Sequence, residues 1–158
     1  MNYNQVLPEV FVGSYPETEE DIDLLKTKLG VTAVLSLQTD EDLERLGCDW
    51  RRLQAHYRRS KILVRRVPVK DFDSEDLRKR LPDCVQALNE LLRKDHTVYV
   101  HCTSGIGRSP SVAVTYLNWV QQCDLDKAVR HVMLARQCSP DLEAIRLASE
   151  DLLGDCAA

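Results

Sequence analysis

The sequence predicts an α/β fold, with a mainly parallel central sheet flanked by helices on both faces. Three observations carry this. Short apolar runs alternate with longer amphipathic ones along the chain. The short runs are β-branched and apolar, as strands buried in a covered sheet are. A length of 158 residues suits one compact unit that buries enough surface to need no disulfide or metal staple.

The elements follow in order. VFVG (10–13) reads as a short edge strand. TEEDIDLLKTKLG (18–30) reads as a helix: Thr18 can cap it, acidic residues fill its first turn, and Gly30 follows its end. VTAVLSL (31–37) is a buried strand. In DWRRLQAHYRRS (49–60), Trp50, Leu53 and Tyr57 form one helical stripe. KILVRRVPV (61–69) is a further strand. SEDLRKRLPDCVQALNELLRK (74–94) is helical, with Val85, Leu88, Leu91 and Leu92 inward, and Pro82 is expected to begin a new helix rather than interrupt one. TVYVH (97–101) is a strand. SPSVAVTYLNWVQQ (109–122) is apolar on nearly every side, so this helix should be central, with Tyr116 and Trp119 in the core. Segments 124–137 and 140–154 are amphipathic helices.

Composition narrows the function. With 21 basic and 25 acidic residues, the net charge of −4 argues against a nucleic-acid partner. No apolar run approaches the ~20 residues of a membrane span, so no membrane partner is expected. The start, MNYNQVLPEV, lacks the charged and apolar regions of a signal peptide. The six cysteines (48, 84, 102, 123, 138 and 156) form no CxxC pair, so no metal site is expected, and they read as reduced intracellular thiols.

The stretch VYVHCTSGIGRSPSVAV (98–114) places a thiol, two glycines and an arginine between a strand and a helix. A loop entering a helix N-terminus is an anion site, because successive N–H groups converge there and the dipole adds about half a positive charge. Gly105 and Gly107 let the backbone curl where a side chain would block the anion. The loop Thr103, Ser104, Gly105, Ile106, Gly107 would cradle a phosphate, and Arg108 supplies a fork for two of its oxygens. The same positive surroundings favour a thiolate at Cys102, which makes it a nucleophile aimed at phosphorus. The leaving oxygen requires an acid. The carboxylate-rich loop PVKDFDSED (68–76) offers Asp71 first, Asp73 second and Asp76 third, with Ser74 and Asp76 also suited to capping the helix that follows.

HCTSGIGRS (101–109) resembles the His-Cys-x5-Arg-Ser/Thr signature of the protein tyrosine phosphatase superfamily. The short chain, and an acid loop about thirty residues before Cys102, resemble its dual-specificity branch. That resemblance implies a phosphocysteine intermediate, with His101 buttressing the loop and Ser109 assisting breakdown. Over nearly the whole chain, MNYNQVLPEVFVGSYPETEEDIDLLK, LSLQTDEDLERLG, RRVPVKDFDSEDLRKRLP, VYVHCTSGIGRSPSVAVTYLNWVQ and RQCSPDLEAIRLASEDLL resemble plant phosphoglucan phosphatases of the starch-excess-four and like-starch-excess-four type. Laforin, the glycogen counterpart, is a more distant likeness.

The resemblance implies one catalytic domain over 1–158, with a C-terminal helical segment (about 139–154) packing on it. It implies no cofactor, a monomer, and a phosphorylated α-glucan as partner, the alternatives being a phosphoprotein or a silent binding domain. It implies a plastid address if a transit peptide has been removed, and the cytoplasm otherwise. Gly107 and Phe72, which follows the expected acid, match the starch enzymes, and Phe72 and Tyr3 are the candidate sugar platforms. Trp50 and Tyr57 are the other aromatic candidates. Ser104 departs from the alanine of the starch enzymes, and Arg45 and Leu46 stand where those enzymes carry an aromatic pair. Cys48 and Cys84 are candidate partners for a protective disulfide with an oxidised Cys102.

Overall fold

The computed structural model describes the backbone of residues 1–157 and the side chains of 1–155. It contains β1 (Tyr3–Leu7), β2 (Val10–Gly13), α1 (Glu19–Thr27), β3 (Ala33–Ser36), α2 (Asp40–Arg45), α3 (Trp50–Arg59), β4 (Leu63–Arg66), α4 (Ser74–Arg93), β5 (Val98–His101), α5 (Arg108–Trp119), α6 (Leu125–Ala135) and α7 (Leu142–Ala157).

The strands form one sheet in the order β1-β2-β5-β3-β4. The four strands β2, β5, β3 and β4 are parallel, and β1 is antiparallel to β2. Successive side chains of a strand face opposite ways. Phe11, Val34 and Tyr99 therefore meet Ile22, Leu25, Leu53 and Tyr57 under α1 and α3. Val10, Val12, Ala33, Leu35, Val98 and Val100 face the larger core under α4, α5 and α6. Helix α5 is buried at every position from Arg108 to Leu117, as its all-round apolar pattern predicts.

Three elements differ from the sequence reading. VFVG is no edge: β1 covers it, and all four of its residues are buried. YNQVL gave no signal because only Val6 is buried along β1, so no apolar alternation exists to be read. Helix α4 runs unbroken through Pro82. A proline inside a helix costs about 3 kcal/mol. Seven residues of that helix are buried, from Leu77 through Leu91. Burying large apolar side chains contributes about 1.5–3 kcal/mol each, so packing outweighs the break. Helix α2 is the third, and its start is legible in retrospect: Thr39 and Asp42 make a reciprocal capping box.

Helix α7 packs against α4 and α5. Trp119 Nε1 donates to Ser149 Oγ on α7 at 2.9 Å, and Arg78 on α4 grips Asp151 through two 2.7 Å bonds. The parallel strands all finish at one edge of the sheet. The segments leaving β2, β3, β4 and β5 therefore meet there, at the edge where parallel sheets carry their sites.

Candidate active site

Residues 102–107 leave β5 at the centre of that edge and enter α5. The loop is held from outside by its carbonyls. Thr103 O accepts from Tyr15 N at 3.0 Å, and Ile106 O accepts from Ser139 N at 2.8 Å. Between them, Ser104 O and Gly105 O accept from Arg136 at 3.1 and 2.7 Å. In a trans peptide the N–H points away from the C=O. Four consecutive carbonyls tied outward thus turn the following N–H groups inward. Gly105 N–H lies 3.3 Å from Cys102 Sγ, which also sits 3.3 Å from Ser109 Oγ.

Arg108 is 4% exposed. Its Nη1 donates at 2.7 Å to both Asp42 Oδ2 and Val69 O, while Nη2 reaches Thr103 Oγ1 at 3.2 Å and Asp71 Oδ2 at 3.3 Å. Its Nε is buried with no partner among the described residues. One arm of the fork is therefore committed to the scaffold, while Nε remains available to an oxyanion. Asp42 is the anchor. Burial opposes its ionisation, but the hydrogen bonds from Arg108 and the Thr39 backbone outweigh that and hold the carboxyl below its ordinary range.

The three candidate acids separate cleanly. Asp73 caps α4, accepting Asp76 N at 2.9 Å, and Asp76 accepts Lys70 N at 2.8 Å. Both carboxylates are thus occupied in shaping the loop, and the cap is Asp73 rather than Ser74, which is the first helical residue. Only Asp71 reaches Arg108. Phe72 beside it is 98% exposed, at φ 54°, on the rim of a cleft of about 560 Å³ that Ser104, Ile106, Gly107, Arg108, Ser139 and Pro140 also line.

His101 is buried, and its Nδ1 bonds Cys102 O at 2.8 Å. Burial pushes the imidazole down to about 4, so it is neutral at physiological pH and braces the backbone without supplying charge. Among the described residues, no cluster of His, Cys, Asp or Glu is placed to hold a metal ion, and no helix is long and apolar enough to cross a membrane.

Residues 10–146 match the family described as dual specificity phosphatase, catalytic domain. The chain belongs to that family. It is 38% identical over 153 residues to the chloroplastic phosphoglucan phosphatase LSF1 of Arabidopsis thaliana, covering 97% of this chain and 26% of that one. It is 39% identical over 155 residues to the amyloplastic phosphoglucan phosphatase DSP4 of Castanea sativa, covering 97% and 41%. The chain thus spans less than half the length of these curated relatives. The crystal structure of PTPMT1 has the same fold, with TM-score 0.77 at 19% identity and 99% coverage of both chains.

Within this dual specificity phosphatase fold, several expected residues sit elsewhere or act otherwise. Gly105 does adopt a left-handed φ of 74°, but a side chain there would collide with Gly13 at 2.4 Å and Arg136 at 2.6 Å, behind the loop rather than in the anion's space. Gly107 has an ordinary φ of −111°, and a Cβ on it would meet nothing within 4 Å. Its smallness leaves the cleft open and relieves no strain. Tyr3 stands outside the Phe72 cleft. It packs edge-on against Phe11 at 6.4 Å and lines an adjoining hollow on the other side of the Ser104–Ile106 crest. Tyr57 is core, and Trp50 lies beneath the Arg66 guanidinium at 5.3 Å. Arg45 is tied to Asp42 at 3.3 Å, while Leu46 lines a separate hollow beside Tyr15 and Glu17.

Cys48 and Cys84 are free thiols, and burial pushes both up, Cys84 to about 12. Cys48 packs with the α1/α3 core and Cys102 with the other. The side chain of Cys156 lies outside those described. The sequence reading missed Asp42, Gln38 (whose Nε2 donates to Thr103 Oγ1 at 3.2 Å) and Arg136. For Asp42 the Thr39-x-x-Asp42 capping pattern was a usable local signal; for Gln38 and Arg136 none exists.

Proposed function

We propose that this chain is a phosphoglucan phosphatase domain, one catalytic unit over 1–158, that hydrolyses phosphomonoesters on starch-like α-glucan through a phosphocysteine intermediate. It works as a monomer without a cofactor. The observation that carries the reading is the 3.3 Å contact between Arg108 and Asp71, which supports the pairing of the proposed acid with the phosphate-binding arginine.

The Cys102 thiolate attacks phosphorus as the phosphorus–oxygen bond to the sugar breaks, and the electron pair leaves on that oxygen. Asp71 gives the oxygen its proton. Arg108 Nε and Nη2 hold two equatorial oxygens while Asp42 and Val69 keep Nη1 fixed, and the inward N–H groups of the loop take the remaining charge. Asp71, now a carboxylate, then draws a proton from water attacking the phosphocysteine. Ser109 Oγ donates to sulfur as the thiolate departs, which matches its 3.3 Å contact.

The glucan assignment draws on the two phosphoglucan phosphatase relatives and on Phe72, whose exposed ring on the cleft rim offers a face for a sugar. A dual-specificity protein phosphatase is the second reading. It is favoured by Arg45 and Leu46, which supply no second aromatic face. Phosphate release from phosphorylated amylopectin and from phosphopeptides, at matched phosphate concentration, separates them: preference for amylopectin is expected, and preference for the peptides overturns the glucan reading.

A further inference from the structure

Arg136 follows α6 and takes no part in the chemistry above, yet it is only 5% exposed. Its guanidinium donates to four oxygens: Gly105 O at 2.7 Å, Ser104 O at 3.1 Å, Asn2 Oδ1 at 2.6 Å and Asn4 Oδ1 at 3.1 Å. All four are neutral. Among the described residues, no carboxylate comes within 4.0 Å of it. Arg108 differs, having Asp42 at 2.7 Å and Asp71 at 3.3 Å. A buried cation is costly when no opposite charge accompanies it. Amide side chains from the N-terminal segment satisfy the guanidinium's hydrogen bonds and leave its charge standing.

Its two loop contacts are adjacent carbonyls. The bond to Ser104 O fixes the peptide whose N–H belongs to Gly105, the donor that faces Cys102 Sγ. The bond to Gly105 O fixes the peptide whose N–H belongs to Ile106. Glycine at 105 is what allows this approach, since a Cβ there would stand 2.6 Å from Arg136 Nη2.

We propose that Arg136 is a positioning residue and the second cation of the phosphate site. It turns the Gly105 and Ile106 N–H groups into the cradle, and the phosphoryl anion held there during turnover balances its charge. This rests on the phosphatase reading and goes beyond it in assigning half of the site's positive charge to a residue that never touches substrate.

The test uses tungstate, a tetrahedral dianion, as inhibitor, together with 4-nitrophenyl phosphate kinetics and thermal unfolding. Arg136→Met should weaken tungstate inhibition about tenfold, with a matching fall in kcat/KM. Arg136→Lys, which keeps the charge, should restore much of the tungstate affinity but less of kcat. Asn4→Asp is the sharper variant. It offers Arg136 a counter-ion while leaving the loop bonds intact, so the melting temperature should hold or rise while tungstate inhibition weakens about threefold. Should Arg136→Met fail to fold, Asn4→Asp decides alone. Wild-type tungstate inhibition in Asn4→Asp would overturn the proposal and leave Arg136 a mechanical strut. A wild-type protein inert toward every phosphomonoester would instead sink the phosphatase reading itself.

Discussion

The loop after β5 and the loop after β4 face each other across one cleft, and they are built in opposite ways. In the first, every carbonyl from Thr103 to Ile106 is tied to a partner outside the loop, and Cys102 and Arg108 are buried. In the second, Val69 O, Lys70 N, Asp71 and Asp73 are tied, but Phe72 is not: its N–H donates only to the neighbouring Asp71 Oδ1, at 3.1 Å, and its ring is almost wholly in water. Stabilising a phosphoryl transition state requires donors that do not reorganise during reaction, which a loop pinned by buried bonds provides. Recognising the rest of a substrate requires exposed surface. In the proposed mechanism the nucleophile and the phosphate-binding groups therefore sit on the rigid side, while the acid Asp71 and the proposed sugar platform Phe72 share the exposed one, where neighbouring residues can change at little cost to the fold.

That contrast can be broken experimentally, beginning with the rigid side. Cys102→Ser should lower kcat on any phosphomonoester by on the order of 10⁴-fold or more, while tungstate binding stays within a few-fold. Turnover of even a few per cent would remove Cys102 as nucleophile. Arg108→Lys should cost about 10²–10³ in kcat/KM, because an ammonium cannot hold the Asp42 anchor and two phosphoryl oxygens at once. Near-normal kinetics in that variant would refute the two-pronged contact.

On the exposed side the effects should be smaller and should depend on substrate. Asp71→Asn should cost about 10² on phosphoglucan and only a few-fold on a nitrophenyl ester, whose leaving group departs with little protonation. Equal losses would hand the acid role to Asp73 or leave Asp71 structural. Phe72→Ala should lower kcat/KM on phosphoglucan about tenfold, with little change on the aryl ester and an almost unmoved melting temperature. A matched loss on both substrates, with clear destabilisation, would make Phe72 a structural residue and bring the protein-phosphatase reading forward.

A separate effect concerns stability against pH rather than turnover. The folded His101 titrates near 4, against 6.5 for an unperturbed histidine. The unfolded chain thus binds the extra proton first as pH falls. His101 contributes its full stability above pH 6.5 and loses it progressively toward pH 4, a swing of about 3 kcal/mol. Urea unfolding at pH 7.5 and pH 5 should show the loss in wild type and a reduced one in His101→Asn. Identical pH dependence in the two proteins would mean that His101 is not held neutral by burial.

What the amino-acid sequence determined by itself is whatever lies within a few residues of chain or within one period of a helix or strand. Cys102, the glycines and Arg108 fall inside seven residues, so their meeting in one loop between β5 and α5 was legible as a string. The Thr18 cap, the buried α5 and the apolar strands were legible for the same reason. Tertiary structure decided the rest. Asp42 lies 66 residues from the Arg108 it anchors, and Asn2 lies 134 from Arg136. Such pairs meet only because the sheet places β5 between β2 and β3, bringing the ends of distant strands to one edge. Pro82 departs from its local preference because the buried face of α4 outweighs it, and β1 is a strand because it pairs with β2, not because of any apolar alternation of its own. Local propensities amount to tenths of a kcal/mol for most residues, whereas packing contributes whole ones, so where the two disagree the assembled core prevails.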